Sequence, residues 1–190
     1  MKEYGDEDFI NLLKESREGT ERDIRKGKVI VAGKSMAFKE REIIKKRMWM
    51  WMPEDFGPLS KDLARMKYPN ENRPDIIYTN QKTTVNVTFS HKEDKLREGQ
   101  EEEIRDYMEQ IVKRVHPTSE VIDKKTTAAE QIQLAWFDFV TPAIDTDIYN
   151  LMFFASLRGR LLMGGFNCLA SDRDEWKELF IQMLTTVRFA

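Results

Sequence analysis

The sequence predicts an α+β protein in which a mainly antiparallel sheet of about 6–8 strands is packed by two long helices, an α/β/α sandwich. Three observations predict it. Residues 134–168, LAWFDFVTPAIDTDIYNLMFFASLRGRLLMGGFNC, hold the densest apolar content of the chain with almost no net charge, and divide into three consecutive strand runs. Segments 98–115 and 174–188 instead repeat their apolar residues with the helical period. Each follows a group of strands, so each has a sheet face to lie on.

In chain order, residues 1–27 read as an amphipathic helix, with Phe9, Ile10, Leu12 and Leu13 as its apolar patch and a long charged run behind it. A helical extension over 1–34 thus precedes a sandwich domain over 35–190. Short strands are expected at 28–33, 35–41 and 47–52, the last ended by Pro53. In RMWMWMP, Met48, Met50 and Met52 share one side and Trp49 and Trp51 the other. Both sides buried would make this core; one side open would make the tryptophans or methionines an adaptable binding surface. A short helix is expected over 58–68, and NENRP at 70–74 is turn chemistry. Strands follow at 75–79 and 83–90. In the second, Val85, Val87 and Phe89 point inward, while Thr84, Asn86, Thr88 and Ser90 form a polar row that faces solvent or lines a cleft.

Helix 98–115 carries Ile104, Tyr107, Met108, Ile111, Val112 and Val115 at offsets that place them on its sheet side, with acids in its first turn and bases in its last. Segment 120–133 reads as strand, polar turn, strand. On strand 134–141, Trp136 and Asp138 share a side, and the acid interrupts an apolar face: it is either at a water-facing surface or lining a pocket with Trp136 and Tyr149. Strand 147–156 is apolar on both alternating sets, which demands cover on both faces. Arg158-Gly159 forms the turn into strand 160–168, where Gly164-Gly165 reads as a bulge, or else as a close approach of backbone or ligand. In helix 174–188, Trp176, Leu179, Phe180, Met183, Leu184 and Val187 form the buried side, capped by Ser171 or Asp172.

Charge and composition narrow the function. A net charge of −2 gives no global attraction for nucleic acid or an anionic membrane. No uninterrupted apolar run spans a bilayer, and the acidic start lacks a secretory profile, so a cytoplasmic setting is expected. One cysteine, Cys168, excludes an internal disulfide. Local chemistry is equally sparse. Val31-Ala32-Gly33-Lys34-Ser35 resembles the end of a phosphate loop, but Lys28 stands where the first glycine belongs and no helix is predicted after it. His91 and His116 have no spaced metal-ligating partner. The acids Asp145/Asp147 and Glu54/Asp55 sit in turns. Lys39, Arg41, Lys45, Lys46 and Arg47 precede Trp49 and Trp51, but Glu40 and Glu42 interleave with them, as on a solvated strand. The expectation is of no catalytic residue, no metal, no cofactor and no nucleic-acid partner.

The order of RMWMWMPEDF, NENRPDIIYTN, a polar-alternating strand, a long helix, YNLMFFASLRGRLLMGGFNC and a helix from Trp176 resembles the PsbP-like α/β/α sandwich superfamily. It includes photosystem PsbP proteins, a Ran-binding import factor, DcrB-type bacterial proteins and secretion-effector chaperones. The likeness spans about 35–190 and implies the fold, together with a partner-binding rather than catalytic role. The expected function is therefore a non-catalytic protein- or peptide-binding, chaperone- or adaptor-like module. Its candidate contacts are Trp49, Met50, Trp51, Trp136 and Asp138. The alternative is a small-ligand binder or enzyme with a pocket near Trp136, Asp138 and Tyr149.

Overall fold

The computed structural model describes residues 22–69 and 73–190. The helix expected over 1–27 lies outside the described residues as far as residue 21, as do the first three positions of the 70–74 turn. Among the described residues, eleven strands form two antiparallel sheets where one was expected. The smaller has the order β1 (Lys28–Val31), β2 (Lys34–Ile44), β3 (Met48–Pro53) and β11 (Arg188–Phe189). The larger runs β4 (Gly57–Pro58), β5 (Ile76–Thr79), β6 (Asn86–Lys95), β10 (Arg160–Leu169), β9 (Ile148–Leu157), β8 (Ile132–Thr141), β7 (Glu120–Ala129). Helices are α1 (Lys61–Lys67), α2 (Glu101–Val115) and α3 (Arg173–Thr185).

The stretch 134–168 supplies the middle of the large sheet, as its two-sided apolar pattern requires. On one side Leu151, Phe153, Leu162 and Phe166 meet α3 and β3: the Phe166 and Phe180 rings stack 4.6 Å apart, and Met48, Met50 and Met52 are fully buried in the same core. The other side holds a second core of Phe137, Phe139, Phe154, Leu161 and Val112 beneath α2. All six apolar residues predicted for the buried side of α3 are buried. Asp172 stands at its N-cap, but its side chain makes no capping bond. Ile24, Val29 and Val31 join the main core too, so the chain before residue 35 contributes to it.

Several readings are corrected. Segment 120–133 is strand, polar turn and strand as expected, with the turn late in it: β7 runs to Ala129, and the chain reverses at Glu130 (φ 53°) before β8 begins at Ile132. As the outer strand of the sheet, β7 tolerates polar side chains that an inner strand would not. Gly164-Gly165 is not a bulge, because both neighbours pair with it in continuous register; the irregularity with β6 falls between Arg160 and Leu162. Instead, the Phe153 ring lies where a Gly164 side chain would stand: a Cβ there would be 2.0 Å from Cζ. The Arg158-Gly159 turn is as predicted, with φ of 54° and 75°. Val31–Ser35 also forms a hairpin, with Ala32 and Gly33 at φ 46° and 74°, and β2 rather than a helix follows.

The largest correction concerns α2. Tyr107 and Val115 are 61% and 62% exposed, whereas Glu101, Arg105 and Glu109 are buried. The helix is turned about its axis relative to its apolar stripe. Ion pairs accompany the rotation: Lys124 on β7 reaches Asp106 at 3.2 Å and Glu109 at 3.0 Å, and Lys113 closes on Glu109 from the same helix.

Candidate functional site

Register fixes which side chains share the α2 face of the large sheet. One row crosses the strands as Asn86, Asn167, Asn150 and Phe139; the next as Thr88, Gly165, Met152 and Phe137; a third as Ser90, Met163, Phe154 and Ala135. Helix α2 lies chiefly over β8 and β9, toward one end of these rows. Its Ile104 and Met108 pack against the second core, as do Met152 and Met163 of the sheet. Gly165 adds no side chain in the middle of the second row. The result is a hollow of about 240 Å³, reaching from Pro74 to Phe139.

Its lining is uncharged and mixed, with Phe139, Met152 and Met163 beside Thr88, Ser90, Asn150 and Asn167. Asn86, Thr88 and Ser90 are 1%, 8% and 5% exposed, so the polar row of β6 does not face open solvent, and Thr88 and Ser90 line the hollow. Asn86 donates from Nδ2 to Asn167 Oδ1 at 2.7 Å, and Asn167 donates to the Tyr68 hydroxyl at 3.4 Å. Lys67 Nζ donates to Asn86 Oδ1 at 3.1 Å and to the Thr83 carbonyl. These bonds seat the C-terminal end of α1 at the β6 side of the hollow. Burial lowers the pKa of Lys67 and raises that of Tyr68. Through Pro74 the hollow adjoins a second one of about 360 Å³, walled by Lys61, Arg65, Arg73, Asp75 and Ile77. Asn150 and Asn167 were not singled out from sequence; the alternating polar row of β6, and Gly164-Gly165 read as a bulge or a close approach, were the signals on this face.

The residues expected as contacts fall in two other places. On β3, Trp49 and Trp51 are partly exposed, while Met50 between them is fully buried. The Arg188 guanidinium lies 4.4 Å from the Trp49 ring centre and pairs with Glu40 at 3.3 Å. Trp136, Asp138 and Tyr149 do come together, under α3, at 1%, 0% and 0% exposure. Tyr149 donates its hydroxyl to Asp138 Oδ2 at 2.7 Å, and Lys177 reaches the same oxygen at 2.7 Å. Asp138 is therefore neither at a water-facing surface nor lining an open pocket; it is half of a buried ion pair. Burial first, and then the Asp138 charge, push the Tyr149 hydroxyl far above its ordinary range. Cys168 nearby is pushed up to about 12, mainly by burial, which keeps it a thiol and not a nucleophile. His91 lies 3.2 Å from the Leu157 carbonyl, and His116 ends α2. Among the described residues, no group of three His, Cys, Asp or Glu is placed to hold a metal, and no helix is long and apolar enough to cross a membrane.

No protein-family model and no curated protein matches the sequence. Among solved structures, the chain is similar to cyanobacterial PsbP (CyanoP) from Synechocystis sp. PCC 6803, with a TM-score of 0.59 and 11% identity, over 80% of this chain and 92% of that one. At this identity the likeness shows the fold alone, and the fold is PsbP-like. Weaker similarities link it to PA94, a Pseudomonas aeruginosa protein of unknown function (TM-score 0.42, 9% identity, 78% of this chain and 94% of that one). Another is the immunity protein TplEi from the same organism (TM-score 0.40, 10% identity, 99% and 86%). Neither of those two scores carries weight for fold or function.

Proposed function

We propose that this chain is a non-catalytic binding module that holds a protein or peptide partner on the α2 face of its large sheet. One observation carries the reading: among the described residues, that face holds a hollow of about 240 Å³ lined by Phe139, Met152 and Met163 beside Thr88, Ser90, Asn150 and Asn167. Burying such apolar side chains against a partner is favourable at about 25 cal/mol per Å² of apolar surface. Methionines at Met108, Met152 and Met163 suit a surface that adapts to what it holds.

A second surface is supported by Trp49 and Trp51, partly exposed beside Arg188 on the small sheet. Tryptophan and arginine are the side chains that most often dominate interface energetics. Met50, Trp136 and Asp138 support this role only from within, by packing beneath the two surfaces.

Site-specific photocrosslinking separates the two. A crosslinking amino acid at Met163 is expected to capture a polypeptide partner, and one at Trp49 to capture less or none. Capture from Trp49 alone would move the function to β3, where Trp49→Ala/Trp51→Ala is then expected to abolish it. No polypeptide captured from either position, by protein with unchanged circular dichroism, would refute the reading.

A further inference from the structure

Where the turn between β2 and β3 meets the turn between β9 and β10, Ile44, Lys45, Lys46, Arg47 and Arg158 wall an open hollow of about 610 Å³. One turn belongs to the small sheet and the other to the large one. Among the described residues, no ion pair engages any of these four cations, whereas Arg160 and Arg188 on the adjoining strands are paired, with Glu93 at 2.8 Å and Glu40 at 3.3 Å. No acid lines the hollow. Around it stand Glu42, whose Oε1 accepts from the Lys46 backbone N–H at 2.7 Å, Glu130 in the turn ahead of β8, Glu93 and Asp94 on β6, and the carboxylate of Ala190. Lys92, Lys95 and Arg160 stand among them, so positive charge stays in excess even on this wider count. Both turns hold a long cation in the left-handed backbone region, Lys46 at φ 55° and Arg158 at φ 54°, where glycine or asparagine is the ordinary choice. The turns would form more easily without these side chains; what the side chains supply is charge. Backbone hydrogen bonds pin both turns: Arg47 donates to the Ile44 carbonyl at 2.9 Å, Ala190 to the Arg47 carbonyl at 3.1 Å and Leu96 to the Gly159 carbonyl at 3.0 Å.

We infer that this hollow binds a compact cluster of phosphate groups, a diphosphate or closely spaced phosphates on a small polyol, held by Lys45, Lys46, Arg47 and Arg158 together. A tetrahedral phosphate presents oxygens in several directions, so donors arriving from two turns engage it at once. A carboxylate is planar and is satisfied by one guanidinium fork. Ile44 is the one apolar wall and no aromatic ring lines the hollow, so nothing there holds a base or an acyl chain, and the phosphates carry the recognition. Such groups occur free or on a lipid headgroup, and the chemistry of the site is the same for both. Bound there, the anion ties an end of the small sheet to an end of the large one. The site is separate from the α2 face, and the inference stands independently of the partner-binding reading.

The test is calorimetric titration of the full chain with pyrophosphate, sulfate and citrate. Pyrophosphate is expected to bind at least tenfold more tightly than the other two, to weaken with added salt, and to raise the melting temperature of the protein. Lys45→Gln/Arg47→Gln on one sheet and Arg158→Gln on the other are each expected to cut the affinity tenfold or more. All three side chains are exposed, so the urea midpoint is expected to stay where it is. Lys46→Gly separates charge from structure: glycine suits the backbone at φ 55° and is expected to raise the midpoint while weakening pyrophosphate. Lys61→Gln/Arg65→Gln on α1 is expected to leave the affinity unchanged. Flotation with phosphatidylcholine vesicles containing phosphatidylinositol bisphosphate distinguishes the sources: tighter binding to the vesicles than to pyrophosphate assigns the phosphates to a lipid, and the reverse assigns them to a soluble compound, either result supporting the site. Binding of neither, equal affinity for pyrophosphate, sulfate and citrate, or an affinity unmoved by Arg158→Gln would overturn the inference.

Discussion

Replacing Lys177 by methionine removes the cation from Asp138 and leaves a carboxylate that is fully buried, with the Tyr149 hydroxyl as its remaining hydrogen-bond partner on Oδ2 and none on Oδ1. At 2.7 Å the gross attraction is about 6 kcal/mol for an effective dielectric constant of about 20. Desolvation consumes much of that in the intact pair. Removing one partner is a different matter, and breaking a buried pair costs about 3–5 kcal/mol. Asp138→Asn is expected to cost only about 1–2 kcal/mol, for a reason visible in the structure. The asparagine still accepts from Tyr149, and Lys177, at 23% side-chain exposure and 3.9 Å from Asp123, turns to water or to that second acid. The double variant Asp138→Asn/Lys177→Met is expected to recover about 2 kcal/mol relative to Lys177→Met alone. Urea unfolding at pH 7 of the four proteins reads the cycle directly. Equal costs for the two single substitutions, or a Lys177→Met cost below about 1 kcal/mol, would refute the claim that the buried carboxylate is what makes this pair matter.

Gly164→Ala forces the Phe153 ring from its place in the core and is expected to destabilise by about 1–3 kcal/mol, read as a lower urea midpoint; an unchanged midpoint would show that the ring moves freely. Cys168 should react with a thiol reagent at pH 8 about a thousandfold more slowly in the native protein than in urea, since burial moves it from 9.0 to about 12. For pH, Glu109 is held below its ordinary pKa chiefly by the hydrogen bond from Lys113 and further by Lys124, and Asp106 likewise chiefly by Arg105. A carboxyl depressed in the folded state contributes stability above its unfolded pKa and loses it as the pH falls through the folded one. Stability is therefore expected to drop below the usual carboxylate range, with Glu109→Gln lower at pH 7 but flatter in acid, as measured by urea midpoints from pH 7 to pH 3.

The open α2 face and the closed Asp138 cluster show how differently the two candidate sites were legible. Asp138 was visible as an acid on an apolar face beside Trp136, but its partner Lys177 lies 39 positions later in the sequence, on a helix whose charged positions alone give no register against β8. The polar row of β6 was visible as alternation. That it lines a hollow depends on Gly165 standing opposite Thr88 on another strand.

By itself the sequence determined the local structure: the three central strands, the turn at Arg158-Gly159, the buried side of α3, and the placing of the methionines and tryptophans of β3 on opposite sides, while which side faces in was decided by packing. Periodicity and turn residues act over a few positions, and those signals survive whatever the chain packs against. Only the tertiary structure decided the division into two sheets, the straight register through Gly164-Gly165 and the rotation of α2. The rotation is the clearest case. An apolar stripe states which side of a helix prefers burial, but it carries no record of Lys124, on a strand later in the chain, which pairs with Asp106 and Glu109 at the sheet edge.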